Sequence, residues 1–556
     1  MRFFFTGMRL KVLFLIIFAA LNFWKNALIT LFCKVFPANP NEPNMLVKSY
    51  GSAIIGIDAM TITVEVAVSP GVEYAIVGLP DNAVKESLFR MASAFEQSGY
   101  KKPGKRVVVN LSPADIRKEG AAYDLPIAIG ILAASEQISA EKVGDYLIMG
   151  ELSLDGTILP VKGVLPMAIK AREEGFKGFI LPKQNAVEAA VVNDLNVYGV
   201  ENIAQVTDFL NGELVLEPVE VNTRDQYYAG LNLFDMDFSD VKGQEHVKRA
   251  LEVAAAGGHN LLMIGAPGSG KTMLAKRIPT IVPPMTLREA LETTKIHSVA
   301  GKIGSDTGLL TKRPFRSPHH LASPVSIVGG GGNPQPGEIS LAHNGILFLD
   351  ELPEFPRNVL EILRQPLEDK QITIARVKYT IEYPCNFMLI ASMNPCPCGF
   401  FNHPSKKCNC GQGAITRYMN KISGPLLDRI DMHIEVTPVE VSELSSDRSG
   451  EKSETIRDRV IRARNIQNER FRDQAIHTNA MMSSRQIKEY CPLDAESVKL
   501  LQGAMERMSL SARAYDRIIK LARTIADMDN AADIGMQHIA EAIQYRSLDR
   551  EMWGIK

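Results

Sequence analysis

Apolar and polar positions alternate across residues 53–68, where isoleucine and valine recur mostly at every second position. This pattern predicts a β-strand that ends at the Pro70 turn. Further apolar runs predict strands over residues 106–110, 146–149 and 178–181. The stretches between these runs are predicted as helices over residues 82–98, 125–135 and 165–174. Interleaved strands and helices are typical of an α+β or α/β domain, which we place at residues 45–220.

The pattern changes twice after this domain. A polar stretch predicts a linker over residues 221–237, before a second domain over residues 238–440. A low-complexity loop is expected over residues 441–454, and the pattern then becomes purely helical. Residues 455–556 are predicted to form a helical bundle, because apolar residues recur there at spacings of three and four, as in Ile518, Leu521, Ala522, Ile525 and Met528.

The first 44 residues differ from the rest, because they are basic and hydrophobic. A membrane anchor is one interpretation, but Asn22 and Lys25 interrupt the two apolar runs, and a spanning helix needs about 20 mostly apolar residues. A cleaved export signal is a second interpretation. We favour a third, in which this segment is upstream sequence translated from a start codon placed too early. The chain from Met45 onward is expected to be cytoplasmic and to have no membrane partner.

Composition narrows the class of protein. The chain has 556 residues, enough for three or four domains with buried cores. Its 62 basic and 63 acidic side chains give a net charge of −1, so binding to nucleic acid would depend on a local basic patch. Seven cysteines are few for this length, which argues against a disulfide framework.

A glycine-rich run follows the apolar residues 260–264 and precedes a helical stretch. Its glycines allow backbone N–H groups to turn toward phosphate oxygens, and the start of the helix adds positive potential. Lys271 is predicted to reach the terminal phosphates, and Thr272 to hold magnesium. The predicted site for ATP and magnesium therefore comprises Gly265, Ala266, Pro267, Gly268, Ser269, Gly270, Lys271 and Thr272.

Polar side chains end two later apolar runs. Asp350 and Glu351 follow residues 346–349, and Asn394 follows residues 387–393. Asp350 is predicted to join the magnesium shell and Glu351 to lie near the water that attacks the γ-phosphate. Asn394 is a candidate to orient that water. Lys271, Glu351 and Asn394 are thus predicted to catalyse hydrolysis.

Two arginines are candidates for contacts with phosphate. Arg429 lies among acidic residues just before a strand-like run, and its planar guanidinium group suits bidentate pairing with phosphate. Spacing leaves open whether Arg429 serves its own subunit or a neighbour. Arg513, at the start of a predicted helix, is the second candidate, and a solvated helix terminus is its alternative role.

Four cysteines fall close together, at Cys396, Cys398, Cys408 and Cys410. Two pairs of thiolates at this spacing could converge on one tetrahedral zinc ion. Pairs separated by one residue are less usual for structural zinc than pairs separated by two, so metal-free loop cysteines and redox chemistry stay open as alternatives. Cys385 and Cys491 are predicted to be buried as small apolar residues.

Several motifs carry a family resemblance: GAPGSGKT, LAHNGILFLDELPEF, ASMNPCPCG, GPLLDRIDMHIEV and LSARAYDRIIKLARTIADMD. In this order they resemble the magnesium-chelatase-like AAA+ ATPases of the ComM/YifB family. The resemblance implies an AAA+ P-loop α/β core with a C-terminal helical lid. It also implies that Asn394 acts as first sensor, Arg429 as arginine finger and Arg513 as second sensor. A homo-oligomeric ring, usually a hexamer, is implied as well, in which the finger completes the adjoining subunit's site.

The front domain resembles the proteolytic domain of Lon, most clearly at residues 150–161. The catalytic pair of Lon does not carry over, because Ala122 stands where the serine would be and Leu165 where the lysine would be. Serine–lysine catalysis needs a hydroxyl and an amine within hydrogen-bond reach. The resemblance therefore implies a Lon-protease-like α+β domain without proteolytic activity.

Residues 371–382 are predicted to form two short strands joined by a basic turn. In the AAA+ clade that includes MCM helicases and magnesium chelatase, a hairpin at this place projects into the central pore. By that resemblance, Arg376 and Lys378 are candidates for contacts with a DNA backbone, with ordinary solvated bases as the alternative. Residues 313–320, together with the glycines at 329–332, form a second candidate loop.

The resemblance implies an ATP-hydrolysing ring that moves on single-stranded or branched DNA. Branch migration or helicase activity in recombination or natural transformation is the activity we expect. The alternative is a chelatase-type motor that drives metal insertion into a tetrapyrrole. An ATP-dependent protease is disfavoured. The Lon-like front domain favours the DNA motor, because chelatase motor subunits are not expected to carry it.

Overall fold

The computed structural model describes residues 45–546 except 231–233, 332–333, 376–379, 402, 404, 440–449 and 509. The interpretations of residues 1–44, the candidates Arg376 and Lys378 and most of the predicted loop at 441–454 lie outside the described residues. In the described part of the chain, no helix is both long enough and apolar enough to cross a bilayer.

The front domain opens with a hairpin of two long antiparallel strands, β1 (Met45–Ile55) and β2 (Asp58–Ser69). A single strand over residues 53–68 was therefore the wrong prediction. The chain reverses at Gly56, whose φ is +66°, and the apolar alternation continues because each strand of the hairpin buries one face. The pattern of side chains alone does not show this reversal.

Seven strands form the sheet of the front domain, in the order β3-β4-β2-β1-β5-β8-β9. The pairs β1–β2 and β2–β4 are antiparallel, and the other pairs are parallel. The remaining strands are β3 (Tyr74–Val77), β4 (Arg106–Ser112), β5 (Tyr146–Ile148), β6 (Glu151–Leu152), β7 (Ile158–Leu159), β8 (Gly178–Pro182) and β9 (Asn196–Val200). The helices are α1 (Asn82–Gln97), α2 (Asp124–Ala134), α3 (Val164–Glu173), α4 (Ala186–Ala189) and α5 (Ile203–Asn211). The other predicted strands and helices of this domain are confirmed to within two residues.

The stretch predicted as a linker contains a helix, α6 (Thr223–Gly230). Thr223 Oγ1 donates to Val191 O at 3.1 Å, in the front domain. Tyr227 Oη donates to Met285 O at 2.6 Å, in the second domain. The polar sequence hides this helix because its stability comes from contacts with both neighbours rather than from an apolar stripe of its own.

A five-stranded parallel sheet forms the core of the second domain, in the order β11-β14-β17-β10-β18. The strands are β10 (Leu261–Gly265), β11 (Phe315–Arg316), β14 (Ile346–Leu349), β17 (Met388–Met393) and β18 (Met432–Val436). Counted along the chain, the order is second, third, fourth, first, fifth. A parallel sheet binds ligands at its carboxyl edge, where the strand order reverses, and β10 ends at that place.

Helices and two small ribbons surround this sheet. The ribbons pair β12 (Gly329–Gly330) with β13 (Gln335–Pro336), and β15 (Gln371–Ala375) with β16 (Thr380–Pro384). The second ribbon confirms the two strands predicted on either side of the basic turn. The helices are α7 (Glu245–Gly257), α8 (Lys271–Arg277), α9 (Leu287–Val299), α10 (Pro324–Val328), α11 (Glu338–Leu341), α12 (Arg357–Ile362), α13 (Arg364–Asp369), α14 (Gln412–Met419) and α15 (Gly424–Leu427).

The C-terminal segment is helical, as predicted: α16 (Ser453–Arg470), α17 (Ser484–Tyr490), α18 (Ala495–Arg507), α19 (Ala512–Met528) and α20 (Met536–Gln544). The bundle shares one hydrophobic core with α7 and the sheet, in which Ile456 and Ile518 pack with Val247, Leu261 and Met263. The predicted lid is therefore continuous with one face of the sheet.

Candidate nucleotide site

The glycine-rich loop turns sharply between β10 and the first residue of α8, Lys271. Gly268 and Gly270 have φ values of +79° and +90°, which a side chain would strain, so glycine is required at both positions. The side-chain amide of Gln244 connects the loop to the end of β18. Its Nε2 donates to Ser269 O in the loop at 2.9 Å and to Thr437 O, just after β18, at 2.7 Å. No pattern in the sequence predicted this role of Gln244.

The ammonium group of Lys271 lies against the loop. Its Nζ donates to Gly265 O at 2.7 Å and to Ala266 O at 3.0 Å, and it is 3.4 Å from Asn394 Oδ1. Burial lowers the pKa of Lys271, while Asp350 and Glu351 act in the opposite direction. A buried cation that is held only by neutral oxygens is well placed to exchange them for a polyphosphate.

A threonine and an aspartate meet at the mouth of the loop. Thr272 Oγ1 donates to Asp350 Oδ2 at 2.7 Å, although the two residues are far apart in the chain. Ser392 Oγ donates to the other oxygen, Asp350 Oδ1. Hydroxyl and carboxylate oxygens are the ligands that magnesium prefers, so these residues fit the ion. The sequence analysis did not identify Ser392. A hydroxyl residue inside the apolar run before Asn394 was the feature that could have indicated it.

Glu351 and Asn394 lie on the open side of the same cleft. The cleft has a volume of about 450 Å³ and is lined by the loop residues from Pro267 to Met273, by Asp350 and Glu351, and by Ser392, Met393 and Asn394. Glu351 has a φ of +54°, and its Oε2 is 3.4 Å from His320 Nδ1. A second cleft, of about 490 Å³, begins at Glu351 and Asn394 and extends to Arg417 and Lys421.

Both candidate arginines lie at the opposite edge of the sheet. Arg429 O accepts from Asn260 Nδ2 at 3.3 Å, just before β10 begins. The Arg429 guanidinium group is buried and paired with Glu368, with 2.6 Å between Nη2 and Oε1. Arg513 is exposed one turn before Arg517, which bonds Asp431 at the same edge. The length of β10 separates this edge from the glycine-rich loop by roughly 16 Å, so within one chain these arginines and the loop are apart.

The four clustered cysteines converge. Their sulfur atoms all lie within 4.8 Å of one another. The Sγ atom of Cys396 is 3.4 Å from Cys398 Sγ and 3.7 Å from Cys408 Sγ. Cys398 Sγ and Cys408 Sγ are 3.6 Å apart. A tetrahedral zinc site with Zn–S bonds of about 2.3 Å has S···S edges of about 3.8 Å, which these distances approach. A backbone hydrogen bond at Phe400 lowers the pKa of Cys398 and so favours its thiolate. In the same cluster burial and the neighbouring thiols raise the pKa of Cys408 and that of Cys410, although a backbone hydrogen bond opposes the rise at each. Cys385 and Cys491 are buried, as predicted.

The front domain has no serine–lysine pair at the position that the Lon resemblance marks. Ala122 lies in the turn before α2, and Leu165 is fully buried at the start of α3. Neither side chain carries a hydroxyl or an amine. A cleft of about 360 Å³ adjoins this place, lined in part by Ala122, Tyr123 and Lys162. The chemistry of proteolysis is missing from these positions.

A parallel sheet with a glycine-rich phosphate loop after its first strand, and with acidic and amide residues after two others, defines the class of P-loop nucleotide-binding proteins of AAA+ type. Three families match the chain. Residues 237–444 match "Magnesium chelatase, subunit ChlI", residues 64–185 match "Subunit ChlI of Mg-chelatase", and residues 450–546 match "Magnesium chelatase, subunit ChlI C-terminal".

Full-length relatives narrow the class further. Competence protein ComM of Haemophilus influenzae is 45% identical over 507 residues, which cover 90% of this chain and 97% of that protein. YifB of Escherichia coli, described as uncharacterized, is 44% identical over 503 residues, which cover 90% and 96%. The chain therefore belongs to the ComM/YifB family of magnesium-chelatase-like AAA+ proteins, and this membership indicates an ATPase. Similarity to Lon protease 2 of Bacillus subtilis is partial, at 28% identity over 159 residues and 26% of this chain.

Proposed function

We propose that this chain is an ATP-hydrolysing, ring-forming motor that acts on DNA, with branch-migration or helicase activity in recombination or natural transformation. One observation supports ATP hydrolysis most directly: Thr272 contacts Asp350. This contact lies beside Lys271 and Asn394, so the proposed magnesium ligands adjoin the loop proposed to bind phosphate. The relative named competence protein supports the use in transformation. The proposed location is the cytoplasm.

The proposed roles follow from these positions. The loop from Gly265 to Thr272 binds the triphosphate through backbone N–H groups and Lys271. Thr272 and Asp350 would hold magnesium, which would supply positive charge beside the triphosphate. Glu351 takes the proton of the attacking water as general base, and Asn394 orients that water. Because a different side chain performs each task from a fixed position, the water and the positive charge are placed without rearrangement of the loop.

A ring is proposed because the two arginines lie at the sheet edge away from the loop. Arg429 and Arg513 would reach phosphate oxygens only on an adjoining subunit. The interface would bring the sheet edge that carries these arginines in one subunit to the nucleotide cleft of the next. Arg429 would exchange Glu368 for the phosphate. The proposed assembly is a homo-oligomer, with a hexamer as the expected number of subunits. The proposed DNA contacts are Arg376 and Lys378, which follow β15 and precede β16 in the sequence.

The test is an ATPase assay with and without single-stranded and branched DNA at low salt. We expect measurable basal turnover, stimulation by DNA that falls as salt rises, and a loss of about 100-fold or more in Lys271→Ala. Lys276→Ala is the matched control, because Lys276 is exposed on the same helix. Turnover without DNA stimulation would reject the DNA motor and favour the chelatase-type alternative. Wild-type turnover in Lys271→Ala would reject the site itself.

We also propose that Cys396, Cys398, Cys408 and Cys410 hold one zinc ion. The sulfur positions support this, because thiol groups without a shared ligand gain little from such close approach. When bound, zinc supplies a cross-link that fixes the loop after Asn394. Elemental analysis of purified chain is expected to give one zinc per chain, lost in Cys398→Ser and in Cys408→Ser. Ser405→Ala, in the same loop, is expected to keep the metal, and a zinc-free wild-type chain would contradict the proposal.

A further inference from the structure

A buried hydroxyl that no sequence motif marked contacts one of the proposed magnesium ligands. The side chain of Ser392 is fully buried, and its Oγ donates to Asp350 Oδ1. Thr272 Oγ1 donates to the other oxygen, Asp350 Oδ2, at 2.7 Å. The two oxygens of the carboxylate are therefore held from different elements, Oδ1 from β17 and Oδ2 from the first turn of α8.

The sheet places Ser392 beside this carboxylate. Strand β17 lies between β14 and β10, and it pairs with both in parallel. In this register Leu349 of β14 is opposite Ala391 of β17, and Asp350 and Ser392 are the residues that follow. Every residue of β17 is buried, and the strand is hydrogen-bonded on both sides. The hydroxyl therefore has a fixed position from which to hold Asp350.

The hydrogen bonds leave one oxygen of Asp350 for a cation. Asp350 Oδ1 accepts from the backbone N–H of Glu351 at 3.1 Å as well as from Ser392. An ionised carboxylate has about four lone pairs on its two oxygens, so these two donors occupy both lone pairs of Oδ1. Within the described part of the chain, Thr272 is the single donor to Oδ2. Oδ2 therefore keeps a lone pair for an ion, and Oδ1 does not.

Magnesium and calcium use carboxylates differently. Magnesium demands a near-ideal octahedral shell and usually keeps several waters. Calcium takes about six to eight oxygen ligands in a flexible shell and accepts a carboxylate through one or both oxygens. A carboxylate that can offer only one oxygen therefore suits magnesium and denies calcium the bidentate contact.

We propose that Ser392 is a positioning residue that determines the cation specificity of the nucleotide site. By occupying Oδ1 it makes Asp350 a ligand through one oxygen and so favours Mg²⁺ over Ca²⁺. This inference rests on the proposed function, because it concerns the cation that accompanies ATP. Without the hydroxyl, Oδ1 regains a lone pair and the carboxylate can turn both oxygens toward an ion. The loop that binds the phosphates is unchanged.

The experiment measures the Kd of N-methylanthraniloyl-ATP for the full chain in Mg²⁺, in Ca²⁺ and in EDTA. The wild type is expected to bind more tightly in Mg²⁺ than in Ca²⁺. In Ser392→Ala we expect this preference to fall about tenfold, as for loss of one hydrogen bond to a charged group, and the Kd in EDTA to stay unchanged. Ser392→Cys keeps the side-chain volume with a weak donor, so it is expected to lose the preference as well.

Ser340→Ala is the matched control, because Ser340 is also fully buried but its Oγ forms no hydrogen bond within the described residues. It is expected to keep the wild-type Kd under all three conditions. A preference for Mg²⁺ in both Ser392 variants equal to that of Ser340→Ala would overturn the proposal. So would a Kd that rises equally in Mg²⁺, Ca²⁺ and EDTA, which a purely structural role predicts. A wild type that binds no nucleotide under any condition would instead reject the proposed ATP site.

Discussion

Gly399 links the cysteine cluster to the phosphate loop. It follows Cys398 directly and has a φ of +82°. A Cβ atom added at Gly399 would lie 2.5 Å from Pro267 Cδ, well inside van der Waals contact. The backbone of the loop that carries the cysteines therefore packs against the Pro267 ring of the glycine-rich loop. A single added methyl group would force one of them to move.

We predict that Gly399→Ala weakens ATP binding about tenfold. The overlap of the added Cβ with Pro267 is expected to displace the glycine-rich loop from the arrangement that binds ATP. Tenfold corresponds to about 1.4 kcal/mol. Titration calorimetry measures the change. Gly411→Ala is the matched control, since Gly411 has a φ of −69° and open space around it. Equal ATP affinities of Gly399→Ala and wild type would contradict the prediction, because the contact between residue 399 and Pro267 would then adjust without loss of binding.

At the scale of elements, buried polar side chains join helix α19 to the amino edge of the sheet. His259 Nε2 lies 2.8 Å from Thr524 Oγ1, and its Nδ1 lies 3.6 Å from Asp431 Oδ2. Asp431 also accepts from Asn260 N at 2.9 Å and pairs with Arg517. Burial lowers the pKa of His259. Burial alone would raise the pKa of Asp431, but Arg517, His259 and the Asn260 N–H together outweigh burial and hold that pKa far below its usual range.

We predict that the free energy of unfolding falls as the pH drops below about 6.5. The unfolded chain then binds a proton on His259 that the folded chain excludes, and each such proton costs up to about 1.4 kcal/mol per pH unit. Asp431 acts in the same direction at lower pH, because its folded pKa is depressed. Urea unfolding at several pH values measures the slope. His259→Gln is expected to reduce the slope and leave the share of His297, whose pKa burial also lowers, and His477→Gln, at an exposed position, is expected to leave the slope unchanged.

At the scale of the whole molecule, the two large domains share a core. Met285, Ala290 and Leu309 belong to the second domain but pack into the hydrophobic core of the front domain. Hydrogen bonds cross the same boundary, from Gly163 N to Ser298 O at 3.0 Å and from Leu165 N to Ser298 Oγ at 3.3 Å. The front domain thus serves as a fixed support for helix α9.

We predict that a chain lacking residues 1–220 is less stable than the full chain. Exposure of Met285 and Leu309 would cost about 1.5–3 kcal/mol each. Thermal unfolding of the truncated chain is expected several degrees lower, with increased binding of a hydrophobic dye. The full chain measured alongside it is the reference. An identical melting temperature would mean that the shared core contributes nothing to the second domain.

The sequence predicted most of the fold by element and the nucleotide site by motif. The phosphate loop is eight consecutive residues, and Asp350, Glu351 and Asn394 directly follow apolar runs, so neighbours along the chain carry the information. The errors arose where local pattern is ambiguous. In the hairpin at Gly56, the alternation of apolar and polar residues continues although the chain reverses direction. Helix α6 is stabilised by contacts with residues that are distant in the sequence.

The sequence by itself identified the candidate groups for phosphate and cation, because each of them lies in a short motif or directly after an apolar run. Only the tertiary structure decided which distant residues meet them. The order of strands in the sheet brings Ser392 to Asp350 and His320 to Glu351, and places Arg429 at the far edge. Strand order depends on long-range packing of apolar faces, and a run of residues does not specify its neighbours in space.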